Sequence, residues 1–157
     1  MKRLIKAVLR IFLTAAALFA VHTYAVGVFP MHGNNMYPSI RDGDLCIIYR
    51  LGEIGQSDVV IYEYNGEQRI GRVAAVEGST VTMSDEGSFM IDGCAPAEEA
   101  FYPTFPGALG NSIEVGEGEW MIMNDLRTEH GDSRDIGCIK TSDIKGKVLF
   151  LFRGRGI

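Results

Sequence analysis

Acidic residues are absent from the first 41 positions of this 157-residue chain, and their absence divides it in two. Lys2, Arg3, Lys6 and Arg10 stand near the start with no carboxylate around them, while all twenty Asp and Glu residues lie from Asp42 onward. Past that basic cluster, eleven Lys and Arg face the twenty acids, a net of −9. Such a surface argues against nucleic acid and against binding anionic lipid through its own face. Cysteine is scarce: Cys46, Cys94 and Cys138 are widely spaced and odd in number. With no Cys-x-x-Cys and no His–Cys cluster, a zinc site is not expected, and neither is any other metal or cofactor. One disulfide with one free thiol is possible on this count, with the pairing left open. Lysine is missing between Lys6 and Lys140, and no repeat or low-complexity tract breaks the chain.

What the beginning does contain is an apolar run. Residues 11–29, "IFLTAAALFAVHTYAVGVF", hold no Asp, Glu, Lys or Arg. As a helix this run would be ~28 Å long, against a hydrocarbon core of roughly 30 Å. It is expected to anchor the chain in the cytoplasmic membrane as a single pass. The basic residues 1–10 would stay in the cytoplasm and residues 30–157 would emerge outside. The alternative is a cleaved secretory peptide, with Ala25 and Gly27 as small residues near a cleavage point. His22 reads as a neutral passenger of the helix rather than a ligand.

The remainder has room for one domain, and its pattern is β. "VVIYEY", Asn65-Gly66 and "EQRIGRVAAV" predict a hairpin, because Asn-Gly supplies the positive φ angles of a two-residue turn. "TVTM" and "SFMID" around "SDEG" predict a second, and "EWMIM" and "KVLFLF" read as further short strands. Residues 94–118, with Pro96, Pro103, Pro106 and several glycines, predict an irregular surface excursion. No soluble helix longer than a turn or two is expected.

Four blocks then fall in order: "GNNMYPSIRDGDLCII", "SDVVIYEY", "IGRVAAVEGSTV" and "NDLRTEHGDSRDIG", with "IKGKVLF" near the end. This order resembles the type I signal peptidases, the S26 family of membrane-anchored serine proteases, over nearly the whole chain. The most specific pieces are Met36-x-Pro38 with Gly43-Asp44, and Asp125-x-Arg127 followed by Asp132-Ser133-Arg134 and Gly137. The resemblance implies a mostly β, antiparallel domain on one N-terminal transmembrane helix.

In that family a Ser directly before the Met attacks the peptide carbonyl, and a Lys directly before the Arg of the third block takes its proton. A hydroxyl needs such a base, and a lysine serves only where an apolar setting lowers its pKa. Carried over, the nucleophile position falls on Asn35 and the base position on Gly71. A carboxamide has nothing to ionise and glycine has no side chain. By period-two alternation, position 71 is expected to share a strand face with Val73 and Ala75.

Ser39 stands where the family usually has Thr, and its hydroxyl is expected to bond the local backbone. His130 falls where the family often has a Ser beside the Lys. It is expected to fill the volume of the missing lysine, with a role as base the alternative. Gly33, Met36, Pro38, Arg72, Asp125, Arg127, Asp132, Ser133 and Arg134 are assigned to the cleft and its scaffold. The resemblance implies a protein that no longer cuts but holds an extended segment of a secreted or surface protein, a pilin or a preprotein. Family members lacking this dyad occur with surface-pilus genes of Gram-positive bacteria. The alternatives are an active signal peptidase with unfamiliar residues, such as His130 acting on Ser39 or water, and an assembly partner working through the anchor and the acidic face.

Overall fold

A computed structural model of the chain describes residues 2–96 and 103–153, apart from the side chains of Lys2, Leu4 and His22. The expectations for Met1, for the part of the excursion at 97–102, for 154–157 and for the His22 side chain lie outside the described residues.

The chain begins with helix α1 (Lys2–Tyr24) and passes at once into strand β1 (Val26–Pro30). Strands β2 (Leu45–Tyr49), β3 (Val59–Tyr64), β4 (Glu67–Ala75), β5 (Thr80–Met83), β6 (Phe89–Ile91), β7 (Ser112–Glu114) and β8 (Glu119–Met123) follow. A single helical turn, α2 (Ser133–Ile136), precedes β9 (Ile139–Lys140) and β10 (Ile144–Phe152). The principal sheet runs β1-β2-β10-β3-β4-β8-β9, and a smaller one runs β6-β5-β7. Every strand pairing is antiparallel, as the sequence pattern predicts.

The β3–β4 hairpin forms at Asn65-Gly66, whose φ angles of 53° and 80° are those its turn needs. Two expectations need correction. The uncharged run 11–29 is not one helix: α1 stops at Tyr24, and Val26 to Phe29 pair with Cys46 to Tyr49 as a sheet edge. Only residues 11–24 are both helical and uncharged, ~21 Å of rise at 1.5 Å per residue, and among the described residues no helix is long and apolar enough to cross a membrane. The segment 94–118, expected to be irregular, contributes β7, because Ile113 and Val115 are apolar enough to be buried against Val81. The cysteines are all free, Cys46 in the core, Cys138 half-buried and Cys94 exposed, so no disulfide forms.

Alternation along β3 and β4 divides the core. Ile61 and its partner Ile70 turn to one face, where they pack with Met31, Met36, Ile40, Cys46 and Ile48. Val60, Tyr62 and Val73 turn to the other, with Ile122 and Ile139. A third cluster lies between the sheets, built on Ala74, Ala75, Val81, Met83, Ile113, Met121 and Met123. The first cluster fixes the corner that follows β1, and the second fixes what stands over Gly71.

Candidate functional site

The corner from Gly33 to Ile40 is tied at both ends. Gly33, at φ 84°, donates its N–H to Asp42 Oδ1 at 2.8 Å, and Met31 N–H donates to the Asp44 carbonyl at 2.8 Å. A φ in this range costs a side-chain-bearing residue ~1–2 kcal/mol, which explains glycine at this position. Met36 is wholly buried and Pro38 follows Tyr37 through a cis peptide bond, so the corner is anchored by its Met and turned by its Pro. Asn35 is thereby held half-buried at the lip of a cleft of about 480 Å³.

Both hydrogens of the Asn35 carboxamide are used inside the protein. Nδ2 donates to the Ile70 carbonyl at 3.2 Å and to Asn124 Oδ1 at 3.0 Å. The Asn35 carbonyl accepts Leu126 N–H at 2.9 Å, so this one residue joins the corner to β4 and to the segment after β8. Asn124 is 5% exposed and is the residue that sequence reasoning missed. Its amide in turn donates to the carbonyls of Glu129 and His130, both at 3.4 Å.

Gly71 sits opposite Val60 in the ladder. A β-carbon there would lie 2.5 Å from Ile122 Cγ2, 3.2 Å from the Met123 carbonyl oxygen and 3.6 Å from Tyr62 Cε1. The space a side chain would enter is therefore taken by Ile122, not by His130. His130 is 59% exposed, with Nδ1 3.4 Å from Asp135 Oδ2, which corrects the expectation that its ring fills the lysine's volume. The shared face with Val73 holds, but Ala75 packs elsewhere, because the pairing of β4 with β8 shifts between Val73 and Ala75.

Ser39 also differs from expectation. Its Oγ accepts from Arg72 Nη2 at 3.4 Å instead of bonding the local backbone. Among the described residues no serine hydroxyl is hydrogen-bonded to a lysine or an imidazole: His130 stands by Asp135, Lys145 by Glu63 and Lys147 by Asp58.

The charged block forms two forked ion pairs. Arg72 holds Asp125 through Nε–Oδ1 at 2.8 Å and Nη2–Oδ2 at 2.7 Å, and donates to the Ser57 carbonyl at 2.9 Å. Arg134, fully buried, holds Asp132 through Nε and Nη2, each at 2.8 Å, and also donates to the carbonyls of Arg127 and Glu129. Ser133 Oγ accepts Ile122 N–H at 2.9 Å, so the block fixes the backbone of the residue that covers Gly71. Parallel N–H···O bonds of this kind set position as well as energy. Arg127 is buried beneath the Phe89 ring and donates to Met123 Sδ.

Around Asn35 the cleft is walled by Val28, Phe29 and Pro30 of the edge strand, and by His32, Tyr62, Arg69 and His130. Burial pushes the Tyr62 phenol up to about 12, with Arg69 opposing and Asp132 reinforcing the shift, so the wall presents a neutral phenol. The cleft thus combines, among the described residues, the outer edge of β1, a lining of both apolar and polar side chains, and the carboxamide of Asn35.

A corner set on Met-x-Pro, the β3–β4 hairpin with Gly71 beside it and an Asp–Arg block behind are the features of a signal-peptidase fold. The family model described as signal peptidase, peptidase S26, matches residues 4–153, and the chain belongs to that family. Signal peptidase IB of Staphylococcus aureus strain Mu50 is 25% identical over 173 residues, 96% of this chain and 90% of the relative. A protein of strain COL named inactive signal peptidase IA is 21% identical, covering 94% and 91%. The solved structure of an Enterococcus faecalis V583 signal peptidase I superimposes with TM-score 0.52 at 21% identity, covering 63% of this chain and 98% of that one, a likeness of fold.

Proposed function

We propose that the chain is a membrane-anchored, non-catalytic signal-peptidase-like protein that holds an extended segment of a secreted or surface protein, such as a pilin or a preprotein, in the cleft at Asn35. The observation behind this reading is the hydrogen bonding of the nucleophile position together with the packing at the base position. The Asn35 amide hydrogens are committed to Ile70 and Asn124, and Ile122 occupies the space where a base would extend. A relative named inactive signal peptidase IA supports the reading.

An extended segment added along β1 would gain backbone hydrogen bonds at the edge and side-chain selectivity from the wall pockets. Pro30 suits an edge strand, which tolerates a missing donor. Anchoring rests on α1, whose described apolar side chains, from Ile5 through Phe12 and Phe19 to Tyr24, are exposed all round. With Lys6 and Arg10 extending their charges toward the headgroups, such a surface suits lipid. In this reading the N-terminus lies inside and the β domain outside.

The test is incubation of the full chain in detergent with a preprotein carrying a small-x-small site, together with crosslinking from a photoreactive residue at position 35. No cleavage, with capture of a secreted or pilin chain through residue 35, is the expected result. Cleavage that disappears on His130→Ala would establish the alternative, an active peptidase with unfamiliar residues. Capture only through the acidic face would establish an assembly partner with an empty cleft.

A further inference from the structure

A second cavity, of about 570 Å³, opens between β4 and the small sheet, away from Asn35. Its walls are mainly apolar, with Val73, Ala74, Phe89, Ile91 and Pro96 among them, and two arginines line it, Arg72, which is forked to Asp125, and Arg127. Arg127 is 9% exposed. Among the described residues its buried Nε has no hydrogen-bond partner, and Nη1 donates to the Met123 thioether, a weak acceptor. The guanidinium carbon lies 5.4 Å from the Phe89 ring centre.

The nearby carboxylates are engaged elsewhere. Both oxygens of Asp125 accept from Arg72, and those of Asp132 accept from Arg134 and the Asn124 N–H. Burial pulls the Arg127 guanidinium below its usual value while Asp125 and Asp132 oppose the shift; an arginine nonetheless remains a cation. Asp92, the carboxylate in the cavity wall, accepts Thr80 N–H at 2.7 Å.

A buried cation without a strong acceptor is costly, and a cavity of several hundred Å³ beside it is of ligand size. We propose that this cavity is a binding site for a carboxylate carried on a short apolar body, with Arg127 as its anchor and Phe89 and Ile91 as its apolar wall. The site is separate from the Asn35 cleft and stands whether or not that cleft binds a peptide.

Cys94 is exposed and lines the same cavity, which gives a readout in the unaltered protein. The full chain in detergent is alkylated with iodoacetamide in the presence of sodium hexanoate, hexanol or hexylamine, and modification of Cys94 is followed by peptide mass spectrometry. Hexanoate is expected to slow Cys94 at least about threefold, and the alcohol and the amine not at all. Arg127→Gln is expected to raise the hexanoate concentration for half-protection by roughly tenfold or more, as loss of a charge-assisted bond implies. Should that variant not fold, Ala95→Phe, at an exposed wall position, is expected to remove hexanoate binding, read by calorimetry, while leaving the unfolding temperature in place. A dipeptide with a free C-terminus, compared with its amide, separates the sources: protection by the acid alone assigns the site to chain ends, and protection by hexanoate alone to small free acids. Equal protection by hexanol and hexanoate, or none by any carboxylate, overturns the proposal.

Discussion

Gly71→Ala is the smallest change that tests the packing over Gly71. Its added carbon would sit 2.5 Å from Ile122 Cγ2, about 1 Å inside the ~3.5–4.0 Å at which carbons rest. Ile122 is fully buried and held through its own backbone by Ser133, and the Met123 carbonyl at 3.2 Å closes the other side. Overpacking of this kind costs ~1–3 kcal/mol. Gly71 is not at positive φ, so alanine also gains ~0.4–1 kcal/mol by restricting the unfolded chain. Overpacking wins, with a net loss of about 1–2 kcal/mol, or roughly 3–7 °C in unfolding temperature for a chain of this size.

The control is a double-mutant cycle. Ile122→Ala alone opens a cavity at a cost of ~2–5 kcal/mol, but in that background the added methyl loses its clash with Cγ2 and keeps only the closer approach to the Met123 carbonyl oxygen at 3.2 Å. Gly71→Ala should there be neutral or slightly stabilising, a coupling of about 1–2 kcal/mol measured by urea unfolding of the full chain in detergent. By the same reasoning Asn35→Ser with Gly71→Lys does not restore cleavage, because the lysine stem begins inside Ile122. If Gly71→Ala unfolds at the temperature of the parent, or if the Ser/Lys pair cleaves a preprotein, the base position is open and the reasoning fails.

Other changes probe the rest of the site. Asn35→Ser alone should give no preprotein cleavage and should cost ~1–3 kcal/mol in denaturant unfolding, because it strips the partners from the Ile70 carbonyl and Asn124. Arg72→Ala strands the Asp125 carboxylate, which is 8% exposed, and should cost ~3–5 kcal/mol; Arg72→Ala with Asp125→Ala should lose clearly less than the sum of the single changes. Although burial pushes the Asp135 carboxyl up, the Gly131 and Ala108 N–H groups and His130 together hold it below its ordinary value. Its contribution is thus present above the unfolded value of ~4 and is lost as pH falls through the lower folded one, so Asp135→Asn should flatten the acid limb of stability below about pH 4.

Much of this molecule was legible because its signals are local. Asn65-Gly66 specifies the turn between β3 and β4, and the alternation of Ile61 against Val60 and Tyr62 sorts the two faces. Asn124 was invisible for the opposite reason. It stands 89 residues from Asn35, and only the pairing of Arg72 with Met123 in the β4–β8 ladder brings the two carboxamides together. A register between distant strands leaves no mark in either stretch alone. The break in alternation between Val73 and Ala75 is of the same kind, since the irregularity is imposed by β8. At the start, apolar composition gave no sign that the run would change from helix to strand at Ala25. That choice is made by Cys46 to Tyr49, which offer Val26 to Phe29 an antiparallel partner.

Asn35 and Gly71 are coupled through one strand, β4. Asn35 is fastened to the Ile70 carbonyl, immediately before Gly71, and to Asn124, immediately after Met123, whose carbonyl closes on Gly71. A serine at 35 would be too short to bridge both acceptors, and a side chain at 71 would separate β4 from the Ile122 that packs on it. Each residue is thus fitted to the other's surroundings, and no single substitution here places a hydroxyl beside a base. What the arrangement secures instead is a rigid lip: the corner, β4 and the Asn124 segment are joined by the Asn35 side chain and its own carbonyl, bonded to Leu126. In the proposed reading, a rigid lip beside the edge strand β1 favours holding an extended chain, because the ordering cost has been met before the ligand arrives.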